Sequence, residues 1–202
     1  MDARQLYTVT AITRRHILEL YPPNSCIAST RILIEVLRYF GCRAEPLPVK
    51  VLACNAAAAP LLEAGTPIAQ WPESAYSIGV DATGTRADKG WDGHLVVTAN
   101  RHLIDPSADQ LDRPDHDLRV PGPIVLPIQD WPVRAQRHNT TIVYWPADSL
   151  GNWATAPDWS LNRPEARSAV GASIREAKHH LFTAEIRPRR SAQPDSKGCV
   201  PA

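Results

Sequence analysis

Cys26, His94 and Asp105 carry the side chains that nucleophilic acyl chemistry needs, and the patterns around them predict elements that could bring them together. Cys26 falls in "NSCIASTRILIEVLRYFGC", within the first turn of a predicted helix. Backbone amides without helical partners, and the helix dipole behind them, favour negative charge at that end. A thiol held there ionises more readily, and the thiolate is the nucleophilic form. The same amides can hold the oxygen of an attacked carbonyl. The plainer reading makes Cys26 a small apolar residue of the kind that fills cores.

His94 and Asp105 lie in "WDGHLVVTANRHLIDPSADQL". A two-residue turn at Asn100-Arg101 pairs Ala99 with His102, Thr98 with Leu103 and Val96 with Asp105. Side chains alternate along a strand, so His94, Val96 and Thr98 share a face with Leu103 and Asp105. His94 is then the diagonal neighbour of Asp105, about 7 Å away across the ladder. A carboxylate on one imidazole nitrogen fixes the tautomer and leaves the other nitrogen as a base for a thiol. A slip of one residue would separate the two onto opposite faces. Without chemistry, His94 would simply close a strand and Asp105 would open a turn before Pro106. His102 competes as a base but faces away from Asp105. Asp92, His94, His102 and Asp105 do not assemble a zinc set: His102 is on the wrong face, and no tight metal-binding spacing is present.

The elements that must position these residues follow from periodicity. Leu6, Val9, Ile12, Thr13, Ile17 and Leu20 recur at helical steps across residues 2–21, up to Pro22-Pro23. A second helix begins at Asn24 or Ser25 as its cap and ends at Gly41; it is apolar on most sides, as a central helix is. Beyond Gly41 the period becomes that of strands: residues 47–54, with Pro46 and Pro48 suggesting a sheet edge, then "SAYSIGVDATG", the hairpin, "VPGPIVLPI" and "NTTIVYW". "AAAAPLLEAG" reads as a short helix closed by Gly65, "GTRADKGWDG" as an exposed loop, "DRPDHD" around His116 as a solvated loop, and residues 164–182 as a last helix with His179-His180 near its end. Residues 187–202 are polar and proline-containing, as in a disordered tail. The order predicts one α+β domain over residues 1–186, N-terminal helices packed on an antiparallel sheet.

Composition narrows the function classes. A formal charge of +1 offers no field to draw nucleic acid or acidic lipid, and the tail's "RPRR" reads as solvated. The expectation is no nucleic-acid partner and no membrane association. The four cysteines lack Cys-x-x-Cys spacing, and the N-terminus has no apolar leader, so reduced thiols in the cytoplasm are expected. Six tryptophans, Trp71, Trp91, Trp131, Trp145, Trp153 and Trp159, could line a groove, though core and edge packing accounts for most; Trp91 stands closest to His94.

"NSCIASTRILIEVLRYFG" followed by "GHLVVTANRHLIDPSADQ" resembles the transglutaminase-like branch of the papain-like cysteine enzymes, and is also similar to bacteriocin-processing cysteine peptidases. The resemblance covers residues 22–111 and rests on the order Cys, His, Asp. It implies a central Cys-bearing helix on an antiparallel sheet, with Cys26 as nucleophile, His94 as base and Asp105 as orienting carboxylate. No cofactor is implied; the substrate would be a peptide, amide or ester. The peptidases carry a glutamine several residues before the cysteine, where Leu20 and Tyr21 stand here; Tyr21, Asn24 or the more distant Gln5 could supply that donor. The expected function is thiol-dependent acyl transfer through an acyl-enzyme, to water or to an amine. The alternative is a catalytically inactive relative that docks a protein partner.

Overall fold

A computed structural model describes residues 1–80, 85–86, 90–91, 93–148 and 151–186. Its first helix, α1 (Ala3–Leu18), starts in a capping box: Asp2 accepts from the Gln5 amide at 2.8 Å while Gln5 Oε1 accepts from the Asp2 amide at 3.0 Å. Leu6, Val9, Ile12, Thr13 and Ile17 are buried as their spacing requires. Leu20 is not. The helix stops at Leu18, where the Leu20 and Tyr21 amides turn back on the Ile17 carbonyl, and Leu20 is left exposed.

Helix α2 (Cys26–Tyr39) is the central one, packed against α1, a later helix and the sheet. Gly41 ends it at φ +77°, where a Cβ would be strained. The Cys42 amide reaches the Leu37 carbonyl and the Gly41 amide that of Arg38, a Schellman closure. Ser25 occupies the N-cap position, but its hydroxyl makes no cap bond and neither does Asn24, which is exposed.

The remaining elements are β1 (Ala44–Asn55), α3 (Ala59–Glu63), β2 (Ser77–Val80), β3 (Thr85–Arg86), β4 (Gly90–Trp91), β5 (His94–Ala99), β6 (His102–Asp105), β7 (Ile124–Pro127), β8 (Val133–Arg137), β9 (Thr140–Pro146) and α4 (Pro164–Ile186). The antiparallel sheet runs β7-β6-β5-β1-β9-β8, with β2 added on β1; its outer strands β7 and β8 approach each other, so the sheet is nearly closed. This is an α+β fold, as the element order predicts. β3 and β4 pair separately.

Three expectations need correction. β1 is the middle of the sheet, not an edge. Its residues 44–49 pair with β5 along one side, and 49–55 pair with β9 along the other. The Pro48 carbonyl accepts from Ala147 at 3.1 Å, so Pro46 and Pro48 face the β9 side, where that partner reaches only to Val49. Their missing N–H groups therefore cost few ladder bonds. β8 was not foreseen, although Val133 and Ala135 alternate into the core. α4 runs on to Ile186, so His179 and His180 lie inside it rather than in its last turn. The expected tail, 187–202, and half of the expected loop before His94 lie outside the described residues; within that loop Thr85–Arg86 and Gly90–Trp91 pair as strands.

Two apolar layers result. Val97, Ala99 and Ile104 pack with the helices, whereas Val96 and Leu103 point inside the curl of the sheet with Leu111, Leu118 and Tyr144. The β5–β6 hairpin has the expected register, Val97↔Ile104, Thr98↔Leu103 and Ala99↔His102. Asn100 and Arg101 both take left-handed φ, +49° and +61°, the turn whose twist matches paired strands. Arginine is a strained choice there. Arg101→Gly is expected to stabilise the protein by about 0.5–1 kcal/mol, read as a higher urea midpoint at unchanged slope; an unchanged or lower midpoint would contradict the assigned turn.

Candidate functional site

His94 opens β5 and Asp105 closes β6, both on the inner face that holds Val96 and Leu103. Both side chains are 0% exposed. His94 Nε2 lies 2.7 Å from Asp105 Oδ2. A buried carboxylate needs its acceptor positions filled, and this one has them filled. The Tyr144 hydroxyl, from β9, donates to Oδ2 at 2.9 Å. The Ser107 amide and hydroxyl donate to Oδ1 at 3.0 and 3.4 Å.

The electrostatics follow from that crowding. Burial works against charge on His94, but the Asp105 carboxylate and the Cys26 sulfur outweigh it, and the imidazole is pushed from its ordinary 6.5 up to about 10. Burial likewise opposes ionisation of Asp105, yet His94, the Ser107 amide and Tyr144 hold it below the ordinary carboxylate value. Tyr144 is pushed up by burial and by the neighbouring carboxylate, so it stays a donor.

Cys26 is half-buried at the head of α2. Its thiol points toward the Gly93 carbonyl at 4.0 Å, one residue before His94, and its sulfur is among the groups that hold the proton on the ring. Thr30 Oγ1 donates to the Leu95 carbonyl at 2.8 Å, fixing the helix against the start of β5. The structure therefore brings Cys26, His94 and Asp105 together. Asp105 engages Nε2, and the other ring nitrogen, Nδ1, lies 2.6 Å from the side-chain amide nitrogen of Gln110.

The proposed accessory donors fare differently. Tyr21 is packed against the helical core, raised in pKa by burial and surrounded by the charges of Arg163, Glu165 and Asp158. Asn24 is exposed, and Gln5 is committed to the cap of α1. Trp91 is in β4, with its side chain outside those described. Trp153 and Trp159 meet edge-to-face beside α2, with the Arg31 guanidinium 5.3 Å over the Trp159 ring. His102 bonds the Asn100 carbonyl at the hairpin turn, and His116, exposed in its loop, stacks on Tyr76. Among the described residues no three His, Cys, Asp or Glu side chains are grouped to hold a metal ion. No described helix is long and apolar enough to cross a membrane.

Sequence reasoning missed a second polar knot. Arg14 of α1 is 3% exposed; it pairs with Asp109 at 2.9 Å, donates to Ser29 Oγ at 3.0 Å and to the Pro23 carbonyl at 2.8 Å, and lies 3.5 Å from Ser25 Oγ. One guanidinium thus joins α1, the loop before Cys26, the first turn of α2 and the turn after Asp105. Its signal was a charged residue on the apolar stripe of α1, one helical step from Thr10 and Ile17. Tyr144 gave no local signal, because it arrives from a strand about forty residues away.

Comparison of the chain with protein-family models, curated proteins and solved structures finds no match.

Two outcomes follow. Asp109→Ala leaves the Arg14 charge buried without its partner and is expected to cost about 3 kcal/mol or more in urea unfolding; Arg14→Met with Asp109→Leu should recover much of it. In the pH direction, a His94 pKa raised from 6.5 to about 10 gives stability that is complete below 6.5 and lost as pH rises through about 10. The lowered Asp105 value gives stability complete above its ordinary 3.8 and lost on acidification through its folded value. Calorimetry should find Tm level between about pH 5 and 6.5 and falling toward about pH 10, with the alkaline fall flattened in His94→Gln; an equal fall in the variant would show that His94 is not its source.

Proposed function

We propose that this protein is a thiol-dependent acyl-transfer enzyme of papain-like or transglutaminase-like design, a cysteine amidase, peptidase or acyltransferase. The observation that carries the reading is the fully buried His94–Asp105 pair beside a half-buried Cys26. The base and its carboxylate are buried, and the thiol that must meet a substrate is partly exposed.

In the proposed reaction the Cys26 thiolate, its proton held on His94 Nδ1, attacks a carbonyl carbon. A C–S bond forms, and the carbonyl electron pair moves to oxygen. The first-turn amides of α2, which among the described residues have no side-chain cap, are available to that oxyanion. The C–N or C–O bond then breaks, and Nδ1–H protonates the leaving group. Water or an amine attacks the resulting thioester, gives its proton to Nδ1 and releases Cys26. Asp105 keeps the ring oriented throughout and remains ionised.

The test is acylation by p-nitrophenyl acetate, followed by mass spectrometry of the intact chain and its peptides. A burst of nitrophenol with an acetyl adduct on Cys26, lost in Cys26→Ser and slowed about 100-fold or more in His94→Ala, is expected. Iodoacetamide should modify Cys26 well before Cys42 and Cys54, which are buried. Equal, slow labelling of the three thiols without a burst would instead support a non-catalytic interaction protein.

A further inference from the structure

We infer that Gln110 is a positioning residue of the site, its carboxamide turning over on His94 Nδ1 as that nitrogen loses and gains its proton. The inference rests on the acyl-transfer reading and deepens it. The two nitrogens of His94 have different keepers: Asp105 on Nε2 at 2.7 Å and Gln110 on Nδ1 at 2.6 Å. With the amide nitrogen donating, Nδ1 is an acceptor and the ring is neutral. Once the Cys26 proton reaches Nδ1, that nitrogen becomes a donor and an N–H facing it is repelled.

A primary carboxamide resolves the conflict without moving its backbone. The terminal torsion of glutamine is broad and two-fold, so rotation about it exchanges –NH₂ for C=O in nearly the same position. With the His94 pKa raised to about 10, the protonated ring calls for the carboxamide oxygen at Nδ1–H over most of the pH range, and the nitrogen-facing arrangement belongs to the neutral ring. Asp105 could not play this part, because a carboxylate only accepts.

The backbone of Gln110 is held for the purpose. It belongs to a 3₁₀ turn, residues Ala108–Leu111, directly after Asp105. The Gln110 amide donates to the Ser107 carbonyl at 3.0 Å, and the Gln110 carbonyl accepts from Arg113 at 3.0 Å. Its neighbour Asp109 is clamped by buried Arg14. Asp105, Cys26 and, through Asp105, Tyr144 are the titratable groups around the ring; Arg14, Asp109 and Arg113 flank the Gln110 backbone. The side chain alone is left to turn.

The experiment uses the full chain and two substitutions, Gln110→Glu and Gln110→Met, each also placed in Cys26→Ala. Glutamate can serve only the protonated ring; methionine serves neither state. In Cys26→Ala, a ¹⁵N titration of the His94 ring should shift upward by about one unit or more with Glu and stay within about 0.3 unit with Met. With Cys26 present, Glu should move the acid limb of iodoacetamide alkylation to higher pH, because its charge competes with the thiolate. Met should leave that limb in place and lower ester turnover about 10-fold. An unshifted His94 midpoint in Gln110→Glu overturns the inference, as does a shift in Gln110→Met as large as that in Gln110→Glu. If the ¹⁵N shifts appear as expected while the wild-type chain forms no Cys26 adduct, the contact with Nδ1 stands and the acyl-transfer reading falls.

Discussion

The structure turns on keeping an imidazole and a carboxylate together out of water. Removing such groups from solvent costs on the order of several kcal/mol each, and their mutual attraction repays it only with good geometry and full hydrogen bonding. Asp105 meets that demand with His94, Tyr144 and two donors from Ser107. Those partners come from β5, β9 and the turn after β6, so the sheet must close correctly before the pair is tolerable. A buried network satisfied on every side is also rigid, and it holds the imidazole at a fixed place beside the Cys26 sulfur.

The Arg14 knot obeys the same rule at the other side of the site. A guanidinium near the N-terminus of α2 is opposed by the helix dipole, and Asp109 offsets it at 2.9 Å. Ser25 and Ser29, which elsewhere would cap or back-bond their own helix, are turned toward Arg14 instead. The Ser25 hydroxyl is thereby kept from the cap, and the head of the Cys26 helix gains three ties to its surroundings. Local helix stability is exchanged for placement, a trade common where a site must be held rather than merely folded.

How far the sequence reached depended on the range of the interactions involved. The hairpin was legible because Asn100-Arg101 fixes its register within a few residues, and the shared face of His94 and Asp105 follows from that register alone. Helix α2 was legible from its apolar run and from Gly41. The central position of β1 was not, because two prolines suggest an edge until one knows that β9 ends at Pro146, opposite Val49. β8 was hidden by its arginines and glutamine, which alternate outward. Within the site, the order Cys, His, Asp was readable, whereas Tyr144, Arg14 and Gln110 act through contacts that no local pattern encodes. Gln110, which touches the imidazole, lies five residues beyond Asp105 and carries no mark of that contact in its neighbours.

β1 is shared between β5, which follows it by about forty residues, and β9, which arrives only near residue 140. Pairings across such separations form slowly, because a long loop must close before any contact rewards it. During synthesis from the N-terminus, Cys26, His94 and Asp105 all leave the ribosome before the strand that brings Tyr144. Until then the carboxylate lacks one of its donors and the middle strand has an open flank. A nascent chain thus carries Cys26, His94 and Asp105 long before it can assemble their surroundings, and completion of the sheet marks the point at which the buried carboxylate gains its last donor.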